Sequence, residues 1–224
     1  MEKKDKIDFN LEFLDKEKKI GTVSAPIDSA KVKFFQYFKD CLTNFPKFAK
    51  DHLLAPSPNF LLLAIWVLGI GNAADRLTSS NSSTWGEVWA VAIFGGILAG
   101  AIAYYIGGWF YHVRVGWSKG RGSIDTARNI YIFSSLPISL VSIGSLFFNM
   151  IAYGSDYFDS YYAEASIVDI IFGLLAIAAI GYSIYISYRA VRETMYVEKS
   201  RAIGWFVVAP VIFYILVLIS AGLN

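Results

Sequence analysis

The chain has 224 residues, 55% hydrophobic and only 17% charged, where soluble globular domains carry about a quarter charged residues. Its formal net charge of +2 is too small to point to a nucleic-acid partner. A lone cysteine, Cys41, excludes an internal disulfide framework, and two histidines sixty residues apart, His52 and His112, give no metal-ligand spacing.

Charge is distributed unevenly. Residues 1–58 hold eleven of the twenty Lys and Arg and nine of the eighteen Asp and Glu. The chain therefore divides into a polar N-terminal segment, 1–58, and a long apolar body, 59–224. The opening MEKKDKIDFNLEFLDKEKK carries no early apolar run, so no cleavable signal peptide is expected, and the first internal apolar helix should direct insertion. Residues 1–28 are Lys-rich and weakly periodic, a composition that predicts a flexible segment. From about 29 to 54 apolar residues recur at helical spacing: Phe34, Phe35, Phe38, Leu42, Phe45, Phe48, Ala49 and Leu53. Lys31, Lys33, Lys39, Lys47 and Lys50 fill the other side. Pro46 should break this stretch into two helices. An apolar stripe opposite lysines suits a helix lying in the inner headgroup layer, or one packed on the cytosolic ends of a bundle.

Five apolar stretches follow, at about 59–74, 88–111, 130–153, 167–188 and 203–221. A bilayer core about 30 Å thick needs about 20 helical residues to cross. Four stretches meet that length; the first is short and needs flanking residues such as Pro58 or Asp75 at the interface. The runs are apolar all round, and AVAIFGGILAGAIAYYIGGWF has no polar face to offer water, which argues against a soluble bundle. The fold class expected is an all-α integral membrane protein with five transmembrane helices behind a cytosolic amphipathic segment. In the second stretch Gly96, Gly100, Ala103 and Gly107, with Gly108 beside them, form a small-residue stripe. Such a stripe permits close backbone approach, within the chain or to a second copy. Pro137 and Pro210 fall inside the third and fifth stretches and should bend them, with hydroxyls such as Ser134 and Ser135 near the first. Asp169 sits in the first turn of the fourth, where a carboxylate favours the helix dipole.

Orientation follows from the basic residues. Interval 112–129 carries Arg114, Lys119, Arg121 and Arg128, and interval 189–202 carries Arg189, Arg192, Lys199 and Arg201. The alternate intervals, 75–87 and 154–166, carry only Arg76 between them, and the second is acidic through Asp156, Asp159 and Glu164. The positive-inside rule puts the N-terminus and both basic loops in the cytosol, and five crossings then leave the C-terminus outside. Trp85, Trp89, Trp109, Tyr111, Trp117, Tyr153, Tyr188 and Trp205 fall near the expected helix ends, where amphipathic rings settle. Asn81-Ser82-Ser83 is a glycosylation sequon in the first outer loop, meaningful only in a eukaryotic host.

Nothing in the apolar body reads as catalytic. No carboxylate pair, Ser/His set or metal cluster is present, so no catalytic, cofactor or metal residue is expected. The distinctive stretch is GGWFYHVRVGWSKGRGSIDTARNIYIFSSLP, residues 107–137. Its loop sets Lys119 and Arg121 around Gly120 and Gly122, then opens a helix at Ser123, with Arg114 before it and Arg128 after. Amides at a helix start together with arginine suit an anionic group. The spacing is not that of a nucleotide-binding P-loop. Ser123 as a helix cap and Asp125 in the first turn explain much of the same pattern structurally. A plain topological loop and a docking site for a headgroup or a protein both fit.

This region is also where a resemblance lies. Gly107-Gly108, the turn ending Gly120-Arg121-Gly122-Ser123, and Tyr131-Ile132-Phe133-Ser134-Ser135-Leu136-Pro137 resemble the Yip1 domain, over about residues 35–221. The resemblance implies five crossings, a cytosolic N-terminus and a short outer C-terminus. Eukaryotic relatives carry an Asp-Leu-Tyr-Gly-Pro-type motif before the first helix. Here the corresponding stretch reads Leu54-Ala55-Pro56-Ser57-Pro58, which points away from the Rab-GTPase binding of those relatives and to a bacterial-type member. The family is linked to membrane trafficking and organisation, and some bacterial members accompany ABC-type exporters.

The function expected is that of a non-enzymatic scaffold or accessory subunit in the bacterial cytoplasmic membrane. Its partners would be anionic inner-leaflet lipid and other membrane proteins, an ABC-type exporter or a second copy among them. The rival is a small transporter or permease subunit with a lipid or solute path between helices. Its one candidate polar stripe is Ser134, Ser135, Ser139, Ser142, Ser145 and Asn149, which alternates between faces.

Overall fold

The computed structural model describes residues 34–77, 84–158 and 167–222, and among them every element is helical. All belong to one compact unit, Lys33–Asn224. The expectations for residues 1–33 and for the Asn81–Ser83 sequon lie outside the described residues.

Two short helices come first, α1 (Phe34–Thr43) and α2 (Phe45–His52). The chain breaks at Asn44, and Pro46 falls in the first turn of α2, where a missing N–H costs nothing. Their buried face is Tyr37, Cys41, Phe45, Phe48, Ala49 and Leu53, whereas Phe35 is 78% exposed. This face packs against the bundle. The Tyr37 ring stacks on Phe60 at 4.2 Å and Phe48 meets Phe133 edge-on at 5.0 Å. Asn129 Nδ2 donates to the Leu53 carbonyl at 3.1 Å, and the Tyr182 hydroxyl donates to the Leu42 carbonyl at 2.6 Å. Both bonds satisfy acceptors at or beyond helix ends, which have no intrahelical partner. Burial pushes the Tyr37 hydroxyl and the Cys41 thiol up, and lowers His52, whose ring lies against Tyr37 at 4.9 Å.

The bundle comprises α3 (Pro58–Leu77), α4 (Trp85–Ile102), α5 (Gly108–Trp117), α6 (Ile124–Tyr153), α7 (Ile167–Thr194), α8 (Lys199–Ile203) and α9 (Ala209–Gly222). A π-helical turn, Ala103–Gly107, joins α4 to α5, and another, Gly204–Val208, joins α8 to α9. Four helical rods are long and apolar enough to cross a membrane: Trp85–Trp117, Ile124–Phe158, Ile167–Thr194 and Lys199–Val217. Pro58–Ala74 is a shorter apolar helix. The rod that includes α6 is the most buried of the four. α7 and α9 keep Ile170, Leu174, Ile177, Phe213 and Leu216 exposed, as apolar side chains are when lipid is the solvent.

Glycine sets the α3–α4 contact. A Cβ on Gly69 would fall 1.8 Å from the Gly96 carbonyl oxygen, and one on Gly100 would fall 2.4 Å from the Ile65 oxygen. The two backbones therefore touch, an approach open only to residues without a side chain. Gly96 faces Ile70, Gly107 faces the Tyr131 ring, and Gly108 faces Arg128. The stripe Gly96, Gly100, Gly107 and Gly108 is thus occupied by neighbouring helices of the same chain, and Ala103, at the π turn, is buried.

Pro137 lies inside an otherwise continuous α6. The Ser134 and Ser135 hydroxyls both donate to the Tyr131 carbonyl, at 3.3 and 2.8 Å. That is ordinary back-bonding within the preceding turn, so they do not serve the Phe133 carbonyl that Pro137 leaves without its partner. At the end of the bundle away from the basic loops, Trp85 donates to the Gly154 carbonyl, and the Tyr153 hydroxyl bonds Asp169. Gly154 caps α6 with φ +53°, a conformation that favours glycine.

Candidate functional site at the basic end of the bundle

α5 stops at Trp117, and the chain reverses through Ser118 to Ser123. Three N–H groups bond back onto the last turn of α5: Ser118 to the Val115 carbonyl at 3.0 Å, Lys119 to the Gly116 carbonyl at 2.9 Å and Gly120 to the Val115 oxygen at 2.9 Å. Lys119 makes the reversal with φ +53°. A left-handed lysine is uncommon and costs backbone energy. It brings Lys119 Nζ to 3.1 Å from Glu198 Oε2.

That ion pair belongs to a larger junction. The Glu198 N–H donates to the Ser118 carbonyl at 3.0 Å, and the Arg121 N–H donates to the Met195 carbonyl at 2.8 Å. Glu198 also meets Arg201 Nε at 3.3 Å and accepts from the Ser200 hydroxyl at 3.0 Å. Hydrogen bonds from Lys119 and Ser200, with the charges of Lys119 and Arg201, hold the Glu198 carboxyl below its ordinary range. Each exposed pair adds little stability by itself. The two backbone bonds are what fasten residues 118–121 to 195–198. Gly120 permits the fastening, because a Cβ there would meet Val115 and Val197 side chains at 2.6 Å and the Met195 oxygen at 3.0 Å. Gly122 is less constrained: its Cβ would press only on the end of the Met195 side chain.

The remaining candidates lead elsewhere. Ser123 caps α6, its hydroxyl accepting from the Thr126 N–H at 3.0 Å. Arg128 pairs with Asp125 at 3.0 Å and lies over the Tyr104 and Tyr105 rings, at 5.4 and 5.2 Å. Arg114 turns inward. Its Nε donates at 3.1 Å to the Trp205 carbonyl, which its Nη2 also bonds, while its guanidinium lies 4.7 Å from the Phe206 ring centre. Arg114, Lys119 and Arg128 therefore reach three separate partners and do not converge on one point.

The Arg114 contact has a clear backbone cause. In the π turn the Ala209 N–H donates to the Gly204 carbonyl. The next carbonyl in that register, Trp205, faces Pro210, which has no N–H to give. Arg114 supplies the missing donor.

Sequence reasoning missed Met195, Glu198 and the Trp205 carbonyl. The basic interval 189–202 shares its charge with interval 112–129, but nothing in it signals pairing with residues 118–121. Among the described residues no three His, Cys, Asp or Glu gather where they could hold a metal ion.

The family model of the Yip1 domain matches residues 46–221. The chain belongs to the Yip1 domain family. No curated protein and no solved structure matches it. The Yip1 match begins inside α2 and ends in the last turn of α9, so it takes in a docked N-terminal helix as well as the apolar bundle. With that domain and four helices able to span a bilayer, this Yip1 domain protein is a multi-pass membrane protein.

Proposed function

We propose that this protein is a non-enzymatic scaffold or accessory subunit of a membrane assembly, for membrane organisation or transport. In this reading it crosses the bacterial cytoplasmic membrane five times, α3 included, with its N-terminus cytosolic and its C-terminus outside. The observation that carries the reading is the fastening of residues 118–121 to 195–198, which gives the basic end one preorganised surface built from two loops. Preorganised loops lose less entropy on docking a partner than mobile ones. Cations on that surface suit an acidic partner protein or the anionic inner leaflet.

The test compares Arg121→Lys and Gly122→Ala with wild type, after extraction in mild detergent. Lysine keeps the charge but loses the planar fork. Both variants should insert with unchanged abundance and topology while releasing a co-purifying protein or anionic lipid. The reading fails if binding survives both, and is lost only in charge-removal variants that also misinsert.

A second reading, a small transporter, draws on a cavity of about 100 Å³ between helices, whose mixed lining includes Ser134, Ser135, Ser183 and Ser187. Its volume suits one small group and gives no continuous path.

A further inference from the structure

The cavity just named is built around a cation. Arg114 lines it, together with Tyr111, Tyr131, Ser183, Ser187 and Phe206. It lies between α5, α6, α7 and the π turn Gly204–Val208. Tyr131 is seven residues into α6, which places the cavity about 10 Å below the basic loops at the helical rise per residue. The site is within the spanning segments but near their basic end.

Two features of the lining are unresolved by the protein itself. First, Arg114 has five N–H donors, and its hydrogen bonds among the described residues use Nε and Nη2 on a single acceptor, the Trp205 carbonyl. No carboxylate lines the cavity and no ion pair to Arg114 forms among the described residues. It lies against the faces of Tyr111 and Phe206, with Tyr131 and Tyr214 also close to it. A cation held by a carbonyl and neutral tyrosine and phenylalanine side chains, with no carboxylate, keeps much of its desolvation cost inside a span. Second, the Ser183 hydroxyl is buried, the residue being 7% exposed, and has no hydrogen-bond partner. Beside it the Tyr111 and Ser187 hydroxyls bond each other at 2.7 Å. A buried hydroxyl left unpaired is costly and commonly marks a missing ligand or water.

We infer that this cavity is a binding site for an oxyanion of phosphate type, held by the spare N–H groups of Arg114 and the hydroxyl of Ser183. Guanidinium matches such an anion in shape and charge, and charge-assisted bonds are the stronger kind. The volume admits one such group or several waters. The cavity is partly open, so the anion can be a lipid headgroup phosphate entering from the bilayer or a free phosphate. The depth near the basic end suits either source.

The experiment uses the full chain in mild non-ionic detergent and phosphate-free buffer. Binding of phosphatidylglycerol and of phosphatidylcholine is read by native mass spectrometry, and binding of inorganic phosphate by calorimetry. Saturable binding of phosphatidylglycerol in preference to phosphatidylcholine assigns the lipid source; binding of inorganic phosphate assigns the free anion. Arg114→Gln should weaken whichever binds about tenfold or more, and Ser183→Ala about threefold to tenfold. Ser183→Ala removes one oxygen and preserves the fold, so it serves if Arg114→Gln is unstable. Arg114→Gln can also be read in a Pro210→Ala background, which returns a backbone N–H to the Trp205 carbonyl. Arg192→Gln removes an exposed cation near the same end of α7 and should change nothing. The inference is overturned if neither probe binds wild type, if both pocket variants bind as wild type does, or if Arg192→Gln weakens binding as much as they do. Each of those results leaves a cavity filled by water.

Discussion

Phe48→Ala tests where the N-terminal amphipathic face lies. Phe48 is 1% exposed and meets Tyr37 and Phe133 edge-on, each with ring centres 5.0 Å apart. Truncating a buried phenylalanine costs about 3 to 5 kcal/mol, including about 0.5 to 1.5 kcal/mol for each well-oriented aromatic pair. The loss falls on the docking of α1 and α2, which the Asn129–Leu53 and Tyr182–Leu42 bonds help to hold. Local opening of α1 and α2 should therefore become roughly a hundred to several thousand times more frequent. Amide hydrogen exchange of the detergent-solubilised protein reads this directly, as faster exchange across residues 34–53 with α6 unchanged. Phe35→Ala is the comparison, because Phe35 is 78% exposed. If Phe48→Ala exchanges at the wild-type rate, or if Phe35→Ala accelerates exchange equally, the buried face is not packed on the bundle and the docking argument is wrong.

Three further outcomes are expected. Gly69→Val should prevent the α3–α4 backbone contact and cost more than the 1 to 3 kcal/mol of ordinary overpacking, since its Cβ would lie 1.8 Å from the Gly96 oxygen; Gly95→Ala, with ordinary contact at 3.8 Å, should be tolerated in the same thermal-unfolding assay. Arg114→Ala should destabilise by about 1 to 3 kcal/mol by orphaning the Trp205 carbonyl, and Pro210→Ala should recover much of that loss, whereas additive effects would contradict the π-turn account. The folded-state pKa of His52 is lowered by burial, so below about pH 6.5 the unfolded chain binds the proton more readily and stability falls with acidification. Asp40 and Asp51 oppose that shift and Lys47 adds to it. His52→Phe should flatten the dependence of α1–α2 exchange between pH 7 and 5, and an unchanged pH profile would remove His52 as its cause.

The apolar stretches were legible because an all-round hydrophobic run is a local property that the bilayer reads directly. Their ends were not. The second was expected to stop at 111, yet the rod continues to Trp117, because Arg114 finds a carbonyl and ring faces within the bundle. The third was expected to begin at 130 and begins at Ile124, because Arg128 lies over two tyrosines and Asn129 bonds Leu53. A polar residue ends a span in a hydropathy reading and continues it where tertiary partners exist. The same reasoning explains α1. Tyr37 and Cys41 carry its buried face while Phe35 points away, and the hydrophobic stripe had favoured phenylalanines over a tyrosine. The loop at 118–123 was recognisable from its glycines and charges, but its partner, Glu198, lies 79 positions later in the chain and no local signal couples them.

The proposed orientation, with the basic junction of residues 118–121 and 195–198 in the cytosol and Asn224 on the other side, is open to direct measurement. Reporters active only in the cytosol, fused in intact cells after Lys50, near Lys119, near Glu198 and after Asn224, decide it. The account predicts activity at the first three positions and none at the fourth. Activity after Asn224 would mean an even number of crossings, with the short apolar helix Pro58–Ala74 failing to span, and silence near Lys119 and Glu198 would put the basic surface outside.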